Sequence, residues 1–167
     1  MIPLPGALGG RDIIAWRLDQ KPFAPTWDSG EGAFLYGGRW NRPGVRAVYC
    51  SLDASTAILE VAVHKTFRVL DTVAHVMTAL KVNDVSSVHV VLPTDLPNPD
   101  WARPGIPGAG QQAFGTELLA LHKFVLIPSA VSPHCWNFIF DAARAQGDYA
   151  LELQEPFALD TRLHPPR

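Results

Sequence analysis

The sequence predicts a single domain of the α+β class, in which a β core is flanked by a few helices. Two stretches carry the spacing of an amphipathic helix, and several short runs rich in valine, leucine and aromatic residues are typical of strands. A chain of 167 residues is long enough to bury one sizeable core but too short for two comfortable ones. We therefore expect one compact unit over residues 1–167, with its core at about 12–158.

The amino-terminal part is predicted to contain one strand followed by a long loop. Residues 1–10 are rich in proline and glycine and are expected to be irregular, whereas the apolar run at 12–18 is typical of a strand. Arg17 lies inside this run, and because an unpaired buried charge is costly, it needs either a structural salt bridge or a bound anion. The prolines and glycines spread over 21–38 predict a loop that wraps a site.

A second strand and the first helix follow this loop. The strand is predicted at 45–51, after a Pro-Gly turn. From Leu52 onward, apolar residues recur at the i, i+3, i+4, i+7, i+8 spacing of one buried helical face. Glu60 and His64 lie one turn apart on the flank of that face, where packing can hold a side chain that still reaches a cleft.

The remaining elements are predicted from the same two periodicities. Valine- and leucine-rich runs at 73–82 and 85–92 are a plausible pair of strands, with a hairpin as one possible arrangement. A proline-rich surface loop over 93–110 leads to a helix over 111–123. Three further strands are predicted, at 124–127, 136–140 and 149–157.

The composition argues against several classes of protein. A net charge of -2 and a pI near 6.3 leave no excess of positive charge to neutralise phosphate backbones, so direct nucleic-acid binding is not expected. Cys50 and Cys135 are too few for a disulfide scaffold and lack the spacing of a metal site. The sequence has neither a secretory signal nor an apolar span of 18 residues, so we expect a cytoplasmic protein that does not enter the membrane.

No common catalytic motif stands out, and each candidate residue alone fits an ordinary structural role. The G-x-S-x-G, P-loop, H-E-x-x-H and G-x-G-x-x-G patterns are all missing. Glu60 fits a solvated helix charge, Arg39 a loop cation and Tyr49 a half-buried strand residue. Ser129 fits a turn, and His64 has no catalytic partner at motif spacing.

Taken in order, however, several sequence blocks resemble a known family. G-G-R-W-N-R-P-G, V-Y-C-S, A-I-L-E-V, and I-P-S-A-V followed by W-N are similar to the RES domain, which is named for its arginine, glutamate and serine. The similarity extends over roughly residues 14–157. It implies a mixed, mainly antiparallel β core, similar to that of the ADP-ribosyltransferase toxins, with a few flanking helices.

The resemblance also implies a function and a partner. Members of this family are the toxins of Xre-RES toxin-antitoxin modules and consume NAD by cleaving its nicotinamide–ribose bond, with NAD as substrate and no metal. The ADP-ribose passes to water, to phosphate or to a protein. The implied partner is an Xre-like helix-turn-helix antitoxin that occludes the active site and supplies DNA binding. Homo-oligomers, or hetero-oligomers with this antitoxin, are expected.

By the same resemblance, four residues are expected to carry the chemistry. Glu60 would stabilise the oxocarbenium-like ribose or hold its hydroxyls, and Arg39 would bind the pyrophosphate. Tyr49 would stack on nicotinamide, and Ser129 would position Glu60 or the substrate. Further contacts to NAD are expected from three residues: Arg17, Trp40 and Asn41.

Two alternatives remain open from the sequence. One is an ADP-ribosyltransferase that modifies a specific protein. The other is a non-catalytic nucleotide-binding or interaction module that has kept the fold.

Overall fold

The computed structural model describes residues 12–163 of the chain. Within them, every strand belongs to one sheet: β1 (Ile14–Gln20), β2 (Ala47–Ser51), β3 (His75–Val82), β4 (Val88–Val90), β5 (Phe124–Pro128), β6 (Trp136–Asp141) and β7 (Tyr149–Phe157). The α-helices of the same region are α1 (Glu31–Tyr36), α2 (Ala54–Thr72) and α3 (Ala109–Leu121). The segment at 1–10, which is predicted to be irregular, lies outside the described residues.

The strand order defines an α+β fold with a mixed sheet. The order across the sheet is β4-β5-β6-β2-β1-β3-β7. The β4–β5 pair is parallel, whereas the other neighbouring strands are antiparallel. This arrangement confirms the predicted fold class, including the mainly antiparallel character of the β core.

Two local predictions are wrong. The runs at 73–82 and 85–92 do not form a hairpin, because both edges of β3 are occupied by β1 and β7, while β4 pairs with β5. The stretch 21–38 is not one long loop, since it contains a 3-10 helix at Lys21–Thr26 and then α1. Glycines in the left-handed region bracket α1, with φ of 62° at residue 30 and 72° at residue 37, so these glycines end a helix instead of marking a loop.

Side-chain alternation along the strands divides the core between the two faces of the sheet. One face buries Val48 and Cys50 of β2 with Phe138 and Phe140 of β6, and Trp27 packs over them. The other face is covered by helices, with Ala62 of α2 beside Leu18 and Leu119 of α3 beside Ile139.

Helix α2 packs on β1 and helix α3 packs on β6. Because β2 lies between these two strands, it forms the part of the sheet between the two helices. Helix α2 starts at an Asp53 cap, whose carboxylate accepts a hydrogen bond of 2.7 Å from the Thr56 amide. A kink at Thr66, with φ of 69° and ψ of 153°, divides this helix in two. Glu60 therefore lies in the part of α2 that the cap fixes beside the sheet.

Candidate active site

The carboxylate of Glu60 is held from two other parts of the fold. The Ser129 hydroxyl, just after β5, donates to Oε1 at 3.0 Å. The Asn137 amide, in β6, donates to the same oxygen at 2.7 Å. Ser51 of β2 completes the group by donating to Oδ1 of Asn137 at 3.2 Å. Residues far apart in the sequence are thus joined into one polar cluster, in which Ser51, Ser129 and Asn137 are buried and Glu60 is half-buried.

The position of Ser129 follows from the way β5 ends. Its side chain is 0% exposed, and its Oγ accepts hydrogen bonds of 3.2 Å from the backbone amides of Val131 and Ser132. Such a turn, formed directly after the strand, fixes the hydroxyl at one point. The structure therefore places Ser129 beside Glu60, as the sequence leads us to expect.

Tyr49 connects the sheet to the loop that carries Arg39. Its hydroxyl donates to Oδ1 of Asn41 at 2.7 Å and accepts from the Trp40 amide at 3.0 Å. A Cβ on Gly38 would lie 2.6 Å from this hydroxyl, so the close approach requires glycine there.

The electrostatics of Tyr49 show which groups lie near it. Burial raises the pKa of the Tyr49 hydroxyl above its ordinary value, and the charge of Glu60 raises it further. The Trp40 amide and the charge of Arg39 act in the opposite direction on this pKa. The charges of Arg39 and Glu60 therefore both act on Tyr49.

Arg39 is half-buried and keeps part of its guanidinium open. Its Nη1 donates to the carbonyl of Trp101 at 2.9 Å, and Gln111 donates to the same oxygen at 3.1 Å. Within the described part of the chain, Nε and Nη2 of Arg39 have no hydrogen-bond partner. Two parallel donors on one planar cation suit a phosphate or carboxylate group.

Trp40 and Asn41 lie inside the protein, at 1% and 0% exposure. The Asn41 amide donates to the carbonyl of Ala33 at 3.0 Å, and Trp40 packs against the rings of Trp101 and Phe114. In this conformation both side chains support the loop that carries Arg39, and a direct contact to NAD stays a prediction.

Helix α3 contacts this loop through Gly115. A Cβ on Gly115 would overlap the carbonyl oxygen of Trp40, so only glycine allows the two backbones to lie this close.

Arg17 is not brought to the Glu60 cluster. Trp16 pairs with Ser51 and points to the same face of the sheet as the cluster. Arg17 is the next residue along β1, so its side chain points to the opposite face. Its Nε and Nη2 bind Asp19 at 2.8 Å and 2.7 Å, and its Nη1 donates to the Tyr49 carbonyl at 2.9 Å. Of the two possibilities for Arg17, the structure shows the salt bridge, and its contact with NAD stays a prediction.

Asn137 and Ser51 are the members of the cluster that the sequence reasoning missed. Two signals point to them. Ser51 lies two residues after Tyr49 on the same face of β2, and Asn137 is a polar residue within an apolar strand, where a buried amide needs partners.

Residues 12–163 contain no cluster of metal-ligating side chains and no helix suited to span a membrane. No group of three or more His, Cys, Asp or Glu side chains in this region is placed to hold a metal ion. None of the helices there is long and apolar enough to cross a membrane.

The class of protein is defined by comparison with known families. The sequence profile of the RES domain matches residues 14–160, which include the Glu60 cluster, Tyr49 and Arg39. The chain therefore belongs to the RES domain family.

Particular relatives carry the names of toxins. "Toxin Res" of Photorhabdus laumondii is 33% identical over 132 residues, covering 77% of this chain and 81% of the relative. "Toxin Res" of Yersinia enterocolitica is 32% identical over 157 residues, covering 90% of this chain and 99% of the relative. The "Prs ADP-ribosylating toxin" of a Sphingobium species is 30% identical over 134 residues, covering 77% and 81% of the two chains.

Among solved structures, the fold is similar to a chain of the M. tuberculosis MbcT–MbcA toxin-antitoxin complex. The TM-score is 0.69 at 21% sequence identity, and the match covers 89% of this chain and 85% of the other. At that identity the similarity establishes the fold.

Proposed function

We propose that this protein is the toxin of a toxin-antitoxin module and depletes NAD by cleaving the nicotinamide–ribose bond, as a glycohydrolase or phosphorylase. The observation that carries the proposal is that Ser129 holds the Glu60 carboxylate within a RES domain, and that the charges of Glu60 and Arg39 both act on Tyr49. The names of the relatives support the toxin role.

The residue types fit this chemistry. Loss of nicotinamide leaves positive charge on the ribose, which a fixed carboxylate such as Glu60 stabilises. Arg39 offers donors to the pyrophosphate, and the half-buried ring of Tyr49 offers a surface to nicotinamide. The leaving nicotinamide takes the bonding electrons, and the ribose carbon then bonds to an oxygen of phosphate or of water, which releases a proton to the solvent.

A second candidate is transfer of ADP-ribose to a specific protein. It is favoured by the name of the Sphingobium relative, an ADP-ribosylating toxin. The bond broken is the same in both reactions, so the acceptor alone distinguishes them.

The proposal includes a partner. The fold match to a chain from a toxin-antitoxin complex supports an antitoxin, which we take to be Xre-like and to cover Glu60 and Arg39. We also propose that residues 1–167 form one RES domain, which acts in the cytoplasm as a homo-oligomer or together with the antitoxin.

Glu60→Gln tests the catalytic role, because it keeps the shape of the side chain and removes its charge. We expect at least about a 100-fold loss of NAD turnover, typical of removing one electrostatic stabiliser. Glu117→Gln, on the exposed face of α3, is the matched control and should turn over NAD at the wild-type rate.

The products of this assay with labelled NAD and lysate identify the acceptor. Free ADP-ribose or its phosphate supports degradation, and label on a protein band supports transfer. If the wild type and Glu60→Gln leave NAD equally intact and neither harms cells, the enzymatic function is wrong and the non-catalytic module is the better description.

A further inference from the structure

Asn137 is a buried amide in an apolar strand, and its orientation is defined by its neighbours. It is 6% exposed and pairs with Ser51 across the β2–β6 ladder. The Ser51 hydroxyl donates to Oδ1 at 3.2 Å, which leaves Nδ2 directed at Oε1 of Glu60, 2.7 Å away. The reverse orientation would put an amide oxygen against a carboxylate oxygen, so the neighbours select the donor.

Ser129 is also fixed as a donor. A hydroxyl has one proton and two lone pairs, and the lone pairs of Ser129 face the amides of Val131 and Ser132. Its proton is therefore available to Oε1 of Glu60, 3.0 Å away. Oε1 accepts two hydrogen bonds, whereas Oε2 accepts none from the described part of the chain.

We propose that Asn137, oriented by Ser51, is a positioning residue that fixes Oε1 of Glu60 and thereby presents Oε2 to the ribose of the substrate. The inference rests on the catalytic role proposed for Glu60. The last torsion of a glutamate is soft, so one donor would leave the plane of the carboxylate free to rock. A second donor on the same oxygen, from a different strand, fixes that plane.

The nearly isosteric change Asn137→Asp separates positioning from packing. It replaces the donor with a second carboxylate close to Glu60, and two like charges at that distance are costly to ionise together. Tyr49, on which the charges of Glu60 and Arg39 both act, is unchanged, and so are Arg39 and His64, which lies one turn from Glu60 on α2. Asn83→Asp, at an exposed amide that donates to the Gly147 carbonyl, adds the same charge elsewhere and is the matched control.

The experiment measures kcat and KM for NAD against pH, together with thermal unfolding. In Asn137→Asp, we expect the acid limb of the pH profile to move up by about one pH unit or more relative to wild type. In Asn137→Ala, we expect a roughly 10- to 100-fold lower kcat with a smaller change in KM, because one hydrogen bond to a charged group is lost. Asn83→Asp should have the wild-type kcat and the wild-type acid limb.

A second readout needs no turnover. The ¹³C signal of the Glu60 side-chain carboxyl is followed against pH without NAD, and its transition should lie at higher pH in Asn137→Asp than in wild type. An unchanged transition and an unchanged acid limb in folded Asn137→Asp would overturn the inference. If that variant does not fold, an unchanged kcat in folded Asn137→Ala overturns it instead. Absence of NAD turnover by the wild type would overturn the proposed function, whereas the ¹³C titration would still show whether Asn137 holds the Glu60 carboxylate.

Discussion

At the scale of single residues, the site is characterised by the atoms that the protein leaves open. Glu60 has Oε1 occupied by Ser129 and Asn137, and Arg39 has Nη1 occupied by the Trp101 carbonyl. Oε2 of Glu60 and two donors of Arg39 have no partner in the described part of the chain. A free carboxylate oxygen and a free pair of cationic donors are the groups that the proposed contacts to ribose and pyrophosphate require.

Arg39→Lys tests the second of these open positions. Lysine keeps the charge but loses the planar pair of donors, so we expect KM for NAD to rise roughly tenfold, equivalent to about 1.4 kcal/mol, with a smaller change in kcat. Steady-state kinetics with NAD measure both constants. The matched control is Arg42→Lys in the same loop, where the side chain is exposed. An unchanged KM in Arg39→Lys would contradict the role in binding pyrophosphate.

The motifs shared with the RES domain allow some residues of the site to be predicted from the sequence, and only those. Glu60 and Ser129 are expected to meet, and they do, at 3.0 Å. Ser51 and Asn137 were not assigned to the site, because their contact with each other depends on β2 lying next to β6, and local periodicity does not determine the order of strands in a sheet. Arg17 has a short-range partner, Asp19, two residues away, which sequence spacing alone does not distinguish from a ligand.

At the scale of elements, α3 sets the position of the loop that carries Arg39. The helix approaches the backbone of Trp40 at Gly115, where a Cβ has no room, whereas a Cβ on Gly110 of the same helix would meet nothing within 4 Å. The two glycines therefore have opposite roles. One permits close packing, and the other only weakens the helix.

Replacing each of these glycines by alanine should change stability in opposite directions. Gly115→Ala should lower the free energy of unfolding by about 1–3 kcal/mol, because the helix must move away from the loop. Gly110→Ala should raise it by about 0.5–1 kcal/mol through the higher helix propensity of alanine. Urea denaturation measures both, and NAD turnover should fall in Gly115→Ala only. Equal free energies of unfolding for the two variants would show that α3 can move away from Trp40 without loss of stability.

Most strands could be predicted from composition, and the errors have physical causes. Continuous apolar runs such as Phe124–Pro128 are buried on both faces, which makes them easy to recognise. Helix α1 has six residues and no buried side chain, so no apolar stripe marks it in the sequence. The possible hairpin between the runs at 73–82 and 85–92 does not form, because the partners of β3 come from chain segments far apart, at Ile14–Gln20 and Tyr149–Phe157.

At the scale of the whole molecule, the sheet buries acidic groups that keep their protons in the folded state. Burial raises the pKa of the Cys50 thiol to about 12, and burial raises the pKa of the Tyr49 and Tyr149 hydroxyls above their ordinary values. In the unfolded chain these groups lose their protons near their ordinary values, about 8.5 for cysteine and about 10 for tyrosine.

The fold should therefore lose stability in alkali. Between the unfolded and folded pKa values the unfolded state binds fewer protons, so the free energy of unfolding falls as pH rises, by up to about 1.4 kcal/mol per pH unit for each group. Urea denaturation from pH 7 upward should show the decline beginning near pH 8.5, the ordinary value of cysteine. Cys50→Ala should delay that onset, with Cys135→Ala as the control for a thiol elsewhere. A flat profile in the wild type would contradict the burial of these protons.

The separation between Glu60 and its two donors also has a consequence for synthesis. Ser129 and Asn137 follow Glu60 by 69 and 77 residues, so a ribosome makes the carboxylate long before the groups that hold it. A nascent chain that ends before β5 contains Glu60, Tyr49 and Arg39 but lacks both donors and the strand beside β2. A product truncated before β5 therefore lacks the hydrogen bonds that hold Glu60, and under the proposed function we expect it not to turn over NAD.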